Sequence, residues 1–461
     1  MTSTVTRGPR SPKTAKPGAP KPGAAKAGAA KAGAAKPGTA KPRPAKPAPP
    51  TEPDDGILQR AMPFLARLES PVTAYYVLLG TTAILVVIGL VMVLSASMVT
   101  SYQDDGSAFA VFLNQLVFAV IGVVGAVVAA HLPVRWYRRL ALPGLLVALV
   151  LQALVFTTLG VSVNGNRNWV RLGPLQLQPS ELTKLGIILV GAVILSRKRK
   201  LLGSFRHVLV PFLVPIVAVT LVLVMLGHDL GTAMILMGIV AALLFVAGVP
   251  SRFFLISGAV AAAAVLGFVV TSANRMGRIT DWVSGSCTDP DGPCGQSVHG
   301  LYALADGGWW GVGLGASKEK WSWLPEAHND FIFAIIGEEL GLPGTLVILV
   351  LFTLLAWACY RLVQRSRDHF VRVATAGVMA WILIQAMVNI GAVIGLLPVV
   401  GVPLPLVSAG GSALVTTLVA LGMLMSFARN EPGAAAILSA RPSVVRRSLA
   451  VLPGRRRRRT R

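Results

Sequence analysis

Ionisable side chains interrupt an otherwise apolar stretch near the middle of the C-terminal half. They are Glu326, His328, Asp330, Glu338 and Glu339. A carboxylate in a lipid-embedded protein costs about 3 kcal/mol or more unless it is paired, hydrated or used. Asn329 or Asp330 can cap a helix that starts at Phe331, because each can accept backbone N–H bonds there. A capping carboxylate can also act as a base, so capping does not exclude chemistry at Asp330.

A second polar stretch, residues 164–184, combines cations, an aromatic ring and a carboxylate. Arg167 lies two residues before Trp169, and a guanidinium beside an indole suits an anionic ligand such as a phosphate or pyrophosphate. Packing of the arginine within the loop is the alternative. Glu181 and Lys184 lie three residues apart, so they share one helix face and can pair with each other.

Three further features lie between apolar segments. Asp229, in a very short turn, is expected to cap the segment that follows it. Cys287 and Cys294 lie in the long loop 273–329, where an oxidising outer compartment would allow a disulfide. The segment 395–412 is apolar but broken by Pro and Gly, and non-helical backbone at membrane depth survives only when buried or lining a cavity. We expect that segment to form the wall of a pocket for a lipid headgroup.

The composition is typical of a membrane protein. Of the 461 residues, 54% are hydrophobic and 13% are charged, and the mean hydropathy is +0.67. The net charge of +24 lies largely in two tails and in short loops, which fits membrane topology better than nucleic-acid binding. The sequence has no phosphate-binding loop of the GxxxxGK type, so we do not expect ATP to supply energy.

Ten apolar segments predict an all-α polytopic membrane protein with about ten transmembrane helices. They lie near residues 74–97, 110–130, 139–158, 181–196, 208–226, 230–249, 253–272, 342–360, 372–395 and 411–428. Lys and Arg cluster in the second, fourth and eighth connections, which predicts that these loops and both termini are cytoplasmic. The polar stretches then lie on the outer side, together with the large outer loop between spans 7 and 8.

The chain divides into three regions. Residues 1–55 are repeats rich in Ala, Lys, Pro and Gly, which predict a disordered, basic cytoplasmic tail. Residues 70–428 form the predicted ten-span membrane domain. Residues 429–461 form a second basic cytoplasmic tail.

Several motifs resemble those of the SEDS family of bacterial cell-wall proteins, in the same order along the chain. They are Arg167-Asn-Trp169, Gln178-Pro-Ser-Glu-Leu-Thr-Lys184, Asp229-Leu-Gly-Thr232, Pro325-Glu-Ala-His-Asn-Asp-Phe-Ile-Phe-Ala334, Gly337-Glu-Glu-Leu-Gly341 and Pro403-Leu-Pro-Leu-Val-Ser-Ala-Gly-Gly411. The resemblance covers about residues 75–428. The His328-Asn-Asp sequence and the basic tails are more similar to actinobacterial division members than to elongation members.

The resemblance implies a peptidoglycan glycosyltransferase that polymerises lipid II on the outer face of the cytoplasmic membrane during cell division. Asp330 matches the family's essential aspartate, which implies a catalytic role as general base. The implied substrate-binding residues are Arg167, Trp169, Glu181, Lys184, His328 and Ser408. The resemblance implies no cofactor; a divalent cation between Asp330 and the pyrophosphate is compatible with these residues but is not required by them.

The implied partners are lipid II, a class B penicillin-binding transpeptidase and other division proteins, with the chain enriched at the division septum. The alternatives are an elongation-type polymerase, a lipid II flippase built on the same cavity, and a division scaffold that acts through the tails. A flippase needs polar residues along a path to the cytoplasmic face. The polar stretches here cluster on the outer side, which favours the enzyme.

Overall fold

A computed structural model of the chain describes residues 70–437, apart from 71, 164–165, 174, 271–272, 285–292, 322, 432 and 435–436. Helices dominate: α1 Thr73–Asp105, α2 Ala110–His131, α3 Val134–Leu154, α4 Pro179–Arg197, α5 Phe205–Val208, α6 Val219–Leu226, α7 Leu230–Ala247, α8 Ser251–Val270, α9 Ala273–Ser284, α10 Pro293–Gly307, α11 Ile332–Arg365, α12 His369–Val393 and α13 Gly411–Arg429. A 3₁₀ turn, Arg199–Leu201, follows α4, and a π-helical stretch, Leu209–Ala218, joins α5 to α6. The predicted tail at 1–55 lies outside the described residues, as does most of the tail at 429–461.

The membrane architecture follows from the length of the apolar helices. Within the described part of the chain, 9 helices are long and apolar enough to cross a membrane, with Leu209–Leu226 counted as one. The expectation of a mostly helical, polytopic membrane protein is therefore confirmed. Helix α8 occupies the expected seventh segment in addition to these.

The packing of α4 against α12 bears on the number of crossings. Lys184 bonds Gln385, and Ile188 lies against Gly377, so the two helices run antiparallel. The end of α4 and the start of α12 therefore lie on the same side of the bundle, and an even number of crossings must separate them. The π-containing span, α7 and α11 are three candidate crossings, and α8 would make the fourth. The count of ten spans stays a prediction.

The third connection adds a small sheet that the all-α expectation did not include. Strands β1 (Gly160–Val163), β2 (Asn166–Leu172) and β3 (Leu175–Leu177) form an antiparallel sheet in the order β1-β2-β3. Val161 pairs with Trp169 across the first two strands. β-branched and aromatic side chains fit such a pleated surface, which explains why this short polar connection is ordered as strands.

Helix α11 is kinked near its start. Gly341 has φ 66° and ψ −160°, which is non-helical backbone that glycine adopts readily. The kink brings α11 against the preceding loop, where Val312 N–H donates to the Glu338 carbonyl at 2.9 Å and Gly313 N–H donates to the Glu339 carbonyl at 3.0 Å. The segment 332–340 is thereby held as a short helix, separate from the long membrane-spanning part.

Small residues allow α13 to pack closely on α2. A Cβ at Gly422 would lie 2.3 Å from the Ala126 carbonyl oxygen, and a Cβ at Gly122 would lie 2.6 Å from the Leu418 side chain. Such close approach is the usual role of small residues between membrane helices. Because α13 directly follows the loop 394–410, this packing fixes the C-terminal end of that loop.

Candidate functional site

Asp330 lies at the end of a turn-rich segment that leads into α11. The turn depends on Glu326, which has a positive φ of 59° and whose carbonyl accepts the N–H groups of Asn329 and Phe331. Phe331 is the N-cap residue of α11 and makes no side-chain capping bond. The N-cap position is therefore not occupied by Asn329 or Asp330. The Asn329 side-chain amide instead donates to the Glu326 carboxylate.

A pocket opens beside Asp330. It is small, with a cavity volume of about 10 Å³, and is lined by Asp330, Phe331, the α12 residues Val388, Asn389 and Ala392, and the segment 399–402. Oδ2 of Asp330 lies 3.5 Å from the position that a Cβ would take at Gly401. The broken apolar segment therefore forms a wall of this pocket, as expected from its Pro and Gly content.

The backbone around Asp330 is held by side chains from distant parts of the chain. The Asn389 amide donates to the Asp330 carbonyl at 2.7 Å and to the Val402 carbonyl at 2.8 Å. The Ser408 hydroxyl donates to the Asn329 carbonyl at 2.7 Å. These bonds fix the carboxylate-bearing turn against both the segment 399–402 and the loop that precedes α13.

Ser408 bonds within the loop that precedes α13, and it is not among the residues that line the pocket. Its hydroxyl accepts the Leu404 N–H at 2.7 Å, and its carbonyl accepts the Gln115 amide of α2 at 3.1 Å. The Ala409 N–H donates to the His328 carbonyl at 3.0 Å. The structure therefore brings Ser408, His328 and Asp330 together, with backbone bonds between their segments.

His328 is partly buried beside this turn. Its Nδ1 is buried and forms no hydrogen bond with any residue that the structure describes. Burial lowers the pKa of His328 below its usual value, while the nearby charges of Glu326 and Asp104 act in the opposite direction. The ring is therefore expected to be neutral at neutral pH, when it can donate or accept a hydrogen bond.

Glu181 and Lys184 form the pair that their spacing predicts. Lys184 Nζ lies 2.8 Å from Glu181 Oε1, and each residue is only 2% exposed. Lys184 also donates to Gln385 Oε1 at 3.0 Å and lies 5.1 Å from the centre of the Trp381 ring. Burial and pairing favour the structural interpretation that the spacing suggested.

Gln385 links this ion pair to the pocket. Its amide donates to the Pro403 carbonyl at 2.9 Å, one residue beyond the carbonyl that Asn389 bonds. Gln385 and Asn389 lie four residues apart, so they share one face of α12. A polar network thus runs from the Lys184 ammonium through α12 to the backbone of Asp330.

Asp229 caps α7, as expected. Its carboxylate accepts the Thr232 N–H at 2.9 Å and the Thr232 hydroxyl at 2.8 Å. It also accepts the side-chain amides of Asn168 at 2.9 Å and Gln178 at 3.2 Å. One carboxylate therefore joins the start of α7, strand β2 and the start of α4.

Arg167 and Trp169 lie on β2, beside this Asp229 junction. The Arg167 guanidinium donates to the Thr157 carbonyl at 2.8 Å, and its backbone N–H donates to the Gly227 carbonyl at 3.1 Å. The bond to Thr157 favours the loop-packing alternative for Arg167. Trp169 is partly buried on the same strand.

Glu338 and Glu339 anchor the outer loop instead of lining the pocket. Lys320 Nζ lies 3.1 Å from Glu339 Oε1, with both side chains at most 1% exposed. The Ser95 hydroxyl bonds the same carboxylate at 2.7 Å. Ser317 Oγ and the Lys318 N–H donate to the Glu338 carboxylate. The cost of burying these carboxylates is therefore offset by an ion pair and hydrogen bonds.

Two further expectations concern a disulfide and a metal ion. Cys287 lies outside the described residues, so the disulfide between Cys287 and Cys294 stays a prediction. Among the residues that the structure describes, no group of three or more His, Cys, Asp or Glu side chains is arranged to hold a metal ion.

Sequence reasoning missed the residues that position Asp330. Gln115, Gln385 and Asn389 are 2–4% exposed within apolar helices. A polar side chain inside a membrane span is itself a signal, because it needs a buried partner. That signal identifies the residues but does not identify which carbonyl each one bonds.

The sequence matches one protein family along most of its length. The model of the FtsW/RodA/SpoVE family, described as cell cycle protein, matches residues 76–432. The probable peptidoglycan glycosyltransferase FtsW of Mycobacterium tuberculosis is 41% identical over 380 residues, which are 82% of this chain and 72% of that protein. Stage V sporulation protein E of Bacillus subtilis is 38% identical, over 76% of this chain and 95% of that protein.

Solved structures agree with the sequence comparison. A chain from work on the structural coordination of polymerization and crosslinking by a peptidoglycan synthase complex has a TM-score of 0.61 and 28% identity, covering 77% of this chain and 97% of that one. The rod shape determining protein RodA of Thermus thermophilus has a TM-score of 0.56 and 26% identity, covering 77% and 96%. The resemblance to the SEDS proteins, and to their actinobacterial division members, is thus confirmed. This chain belongs to the FtsW/RodA/SpoVE family of cell cycle proteins.

Proposed function

We propose that this protein is an integral-membrane peptidoglycan glycosyltransferase that polymerises lipid II, with Asp330 as the catalytic base. The observation that carries the proposal is the anchored turn. A partly buried carboxylate faces a pocket, and Asn389 and Ser408 hold the backbone on either side of it. The 41% identity to a protein named as a probable peptidoglycan glycosyltransferase supports the reaction class.

In the proposed reaction, a hydroxyl oxygen of the acceptor sugar attacks the anomeric carbon of the donor. The bond between that carbon and the pyrophosphate oxygen breaks, and undecaprenyl pyrophosphate leaves with the bonding electron pair. Asp330 takes the proton of the attacking hydroxyl, as a general base does. The donor is already activated by its pyrophosphate, so the step needs no nucleotide.

The remaining expected site residues take supporting roles in this proposal. Trp169 on β2 offers an indole that suits the sugar of a bound lipid. Arg167 beside it packs the loop through Thr157, and its positive charge favours a pyrophosphate nearby. The neutral His328 ring offers a hydrogen bond beside Asp330. Glu181 and Lys184 are buried and do not contact the substrate in this proposal; they support the loop beside the pocket through Gln385.

A class B penicillin-binding transpeptidase is the proposed partner, and the division septum is the proposed location. One similar structure comes from a complex in which polymerization and crosslinking are coordinated, which supports a crosslinking partner. The similarity to mycobacterial FtsW supports a division role over an elongation role.

Polymerisation in detergent distinguishes the enzyme from a flippase, because detergent micelles offer no bilayer to cross. The full chain is incubated with labelled lipid II, with and without a cognate transpeptidase, and glycan products are separated on a gel. The proposal predicts polymer only when this chain is present, and the transpeptidase alone is the control. Folded protein that gives no polymer with its partner present would overturn the enzyme and favour the flippase.

A further inference from the structure

Two neighbouring tryptophans of the outer loop are exposed just after α10. Trp309 is 74% exposed and Trp310 is 84% exposed. Large apolar side chains that are exposed side by side mark a contact with another molecule or with a membrane. Neither tryptophan is among the residues that line the pocket beside Asp330. The tryptophan pair, Trp309 and Trp310, therefore presents an apolar surface outside the proposed active site.

The backbone of the tryptophan pair is held against the start of the long part of α11. The Leu342 N–H donates to the carbonyl of Gly308, which directly precedes the pair, at 3.2 Å. A Cβ at Gly341 would lie 2.8 Å from the Trp309 carbonyl oxygen and 2.7 Å from the Trp310 carbonyl carbon. The pair is therefore fixed beside Leu342, where the membrane-spanning part of α11 begins.

The junction between α11 and α1 indicates the depth of the tryptophan pair in the membrane. Glu339, two residues before Gly341, accepts a hydrogen bond from the Ser95 hydroxyl of α1 at 2.7 Å. From Thr73, where α1 begins, the helix rises about 33 Å to Ser95 at about 1.5 Å per residue. The hydrocarbon core of a bilayer is about 30 Å thick. With the start of α1 on the cytoplasmic side, as predicted, this junction and the tryptophan pair lie near the outer boundary of the hydrocarbon.

The tryptophan pair lies between an apolar surface and a charged one. Leu342, Leu346 and Val350 are exposed and lie four residues apart, so they form one apolar stripe along α11. On the loop side, Asp306 lies three residues before the pair and pairs at 3.5 Å with the exposed Lys318. Tryptophan is enriched at such a boundary, because its ring suits acyl chains and its N–H suits polar headgroups.

We propose that Trp309 and Trp310 insert between the phospholipid headgroups of the outer leaflet and anchor the outer loop there. The indole rings contact the upper part of the acyl chains, and the indole N–H groups donate to ester or phosphate oxygens. The apolar stripe of α11 continues into the tryptophan pair. Lipid can cover both surfaces, whereas a water-exposed protein domain cannot, which favours lipid as the occupant.

The anchor also affects the position of Asp330, a consequence that rests on the proposed function. Two backbone N–H groups of the outer loop donate to the carbonyls of Glu338 and Glu339. Both glutamates belong to the segment 332–340, which follows Asp330 closely in the chain. The depth of the loop in the headgroup layer therefore sets the depth of Asp330, and the pyrophosphate of a lipid-linked donor lies in the same layer.

The test is fluorescence quenching by phospholipids that are brominated on their acyl chains near the headgroup, with the full chain in phosphatidylcholine liposomes. Bromine quenches only the indoles that it contacts, so the lost intensity reports the indoles at that depth. The double variant Trp309→Phe with Trp310→Phe removes two of the 9 tryptophans and keeps an aromatic ring at both positions. Trp321→Phe is the matched control, because Trp321 is 62% exposed in the same loop but lies in the turn that begins at the charged Lys318.

We expect the intensity lost to bromine to fall in the double variant and to keep its wild-type value in Trp321→Phe. An equal loss of intensity in all three proteins would overturn the anchor. A contribution of the pair that disappears when the transpeptidase partner is added would overturn the lipid contact and assign this surface to that protein. The measurement requires no glycosyl transfer, so failure of the anchor and failure of the proposed function are separate results.

Discussion

Asp330 owes its position to groups that bond the backbone on either side of its side chain. Asn389 bonds the Asp330 carbonyl, and Ser408 bonds the preceding carbonyl. A general base must lie within hydrogen-bond reach of its proton, and a misplacement of about 1 Å can cost about 100-fold in rate. Asn389 and Ser408 are therefore expected to act as positioning residues for Asp330.

Asn389→Ala should lower the rate of lipid II polymerisation by about 10- to 100-fold while leaving the protein folded, because Asp330 loses a backbone anchor. The measurement is the initial rate of glycan synthesis at saturating lipid II. Asn430→Ala is the control, since Asn430 also donates its amide to a carbonyl, that of Ser426, at the end of α13. An equal rate for Asn389→Ala and the control would contradict the anchoring role.

Lys184→Met should destabilise the protein by about 3–5 kcal/mol, because it leaves the buried Glu181 carboxylate without its ion-pair partner. The double variant Glu181→Gln with Lys184→Met removes both charges and should regain much of that loss. Thermal unfolding in detergent compares the three proteins. If the double variant were no more stable than Lys184→Met, Lys184 would not stabilise the protein by pairing with Glu181.

Spacing alone predicted some of these residues and not others. Asp229 as a cap, and Glu181 with Lys184 as a pair, depend on neighbours within one turn of helix, so the sequence suffices for them. Asn389 bonds carbonyls 59 and 13 residues away. Such partners depend on how the helices pack, which local pattern does not encode.

At the scale of elements, the kink in α11 shapes the outer side of the protein. Gly341 has a left-handed φ of 66°, and a Cβ there would lie 2.4 Å from the Gly311 nitrogen. The two backbones approach because neither glycine carries a side chain. The same junction carries the buried Glu339–Lys320 pair, so the start of α11 and the outer loop are held as one unit.

Gly341→Ala should destabilise the protein by about 2–4 kcal/mol, from the left-handed backbone and the clash with Gly311 together. Gly144→Ala is the control, because Gly144 lies inside α3 and a Cβ there meets nothing within 4 Å. That change should be neutral or slightly stabilising. The measurement is the thermal unfolding of both variants. Equal stability of the two would show that the backbone at Gly341 does not require glycine.

Elements differ in how far the sequence predicts them. Long apolar segments identified the membrane helices because a bilayer requires about 20 apolar residues in each span. The sheet β1–β3 was not predicted, since its strands are short and its turn residues favour an irregular loop. The kink in α11 was not predicted either, because Gly341 acquires its conformation from contact with a loop thirty residues earlier in the chain.

At the scale of the whole molecule, the two ends of the bundle have different chemistry. The Asp330 pocket, the Asp229 junction and the Glu338–Glu339 cluster lie in the predicted outer connections. The opposite end carries the basic connections, where Arg138 pairs with Asp368 and the charges of Arg361 and Arg365 act on Glu431. This separation suits an enzyme that uses an outward-facing lipid-linked sugar, because the polar site lies on one side only.

In the proposed reaction, the Asp330 carboxylate takes the proton of the attacking hydroxyl. The rate of lipid II polymerisation by Asp330→Asn, purified in detergent with its transpeptidase partner, tests this role. Asp306→Asn is the matched control, because Asp306 is an exposed acid of the outer loop, paired only weakly with Lys318 at 3.5 Å. Loss of about 10²- to 10⁴-fold in Asp330→Asn alone is the predicted result. Wild-type rates from a folded Asp330→Asn protein would show that Asp330 is not the catalytic base.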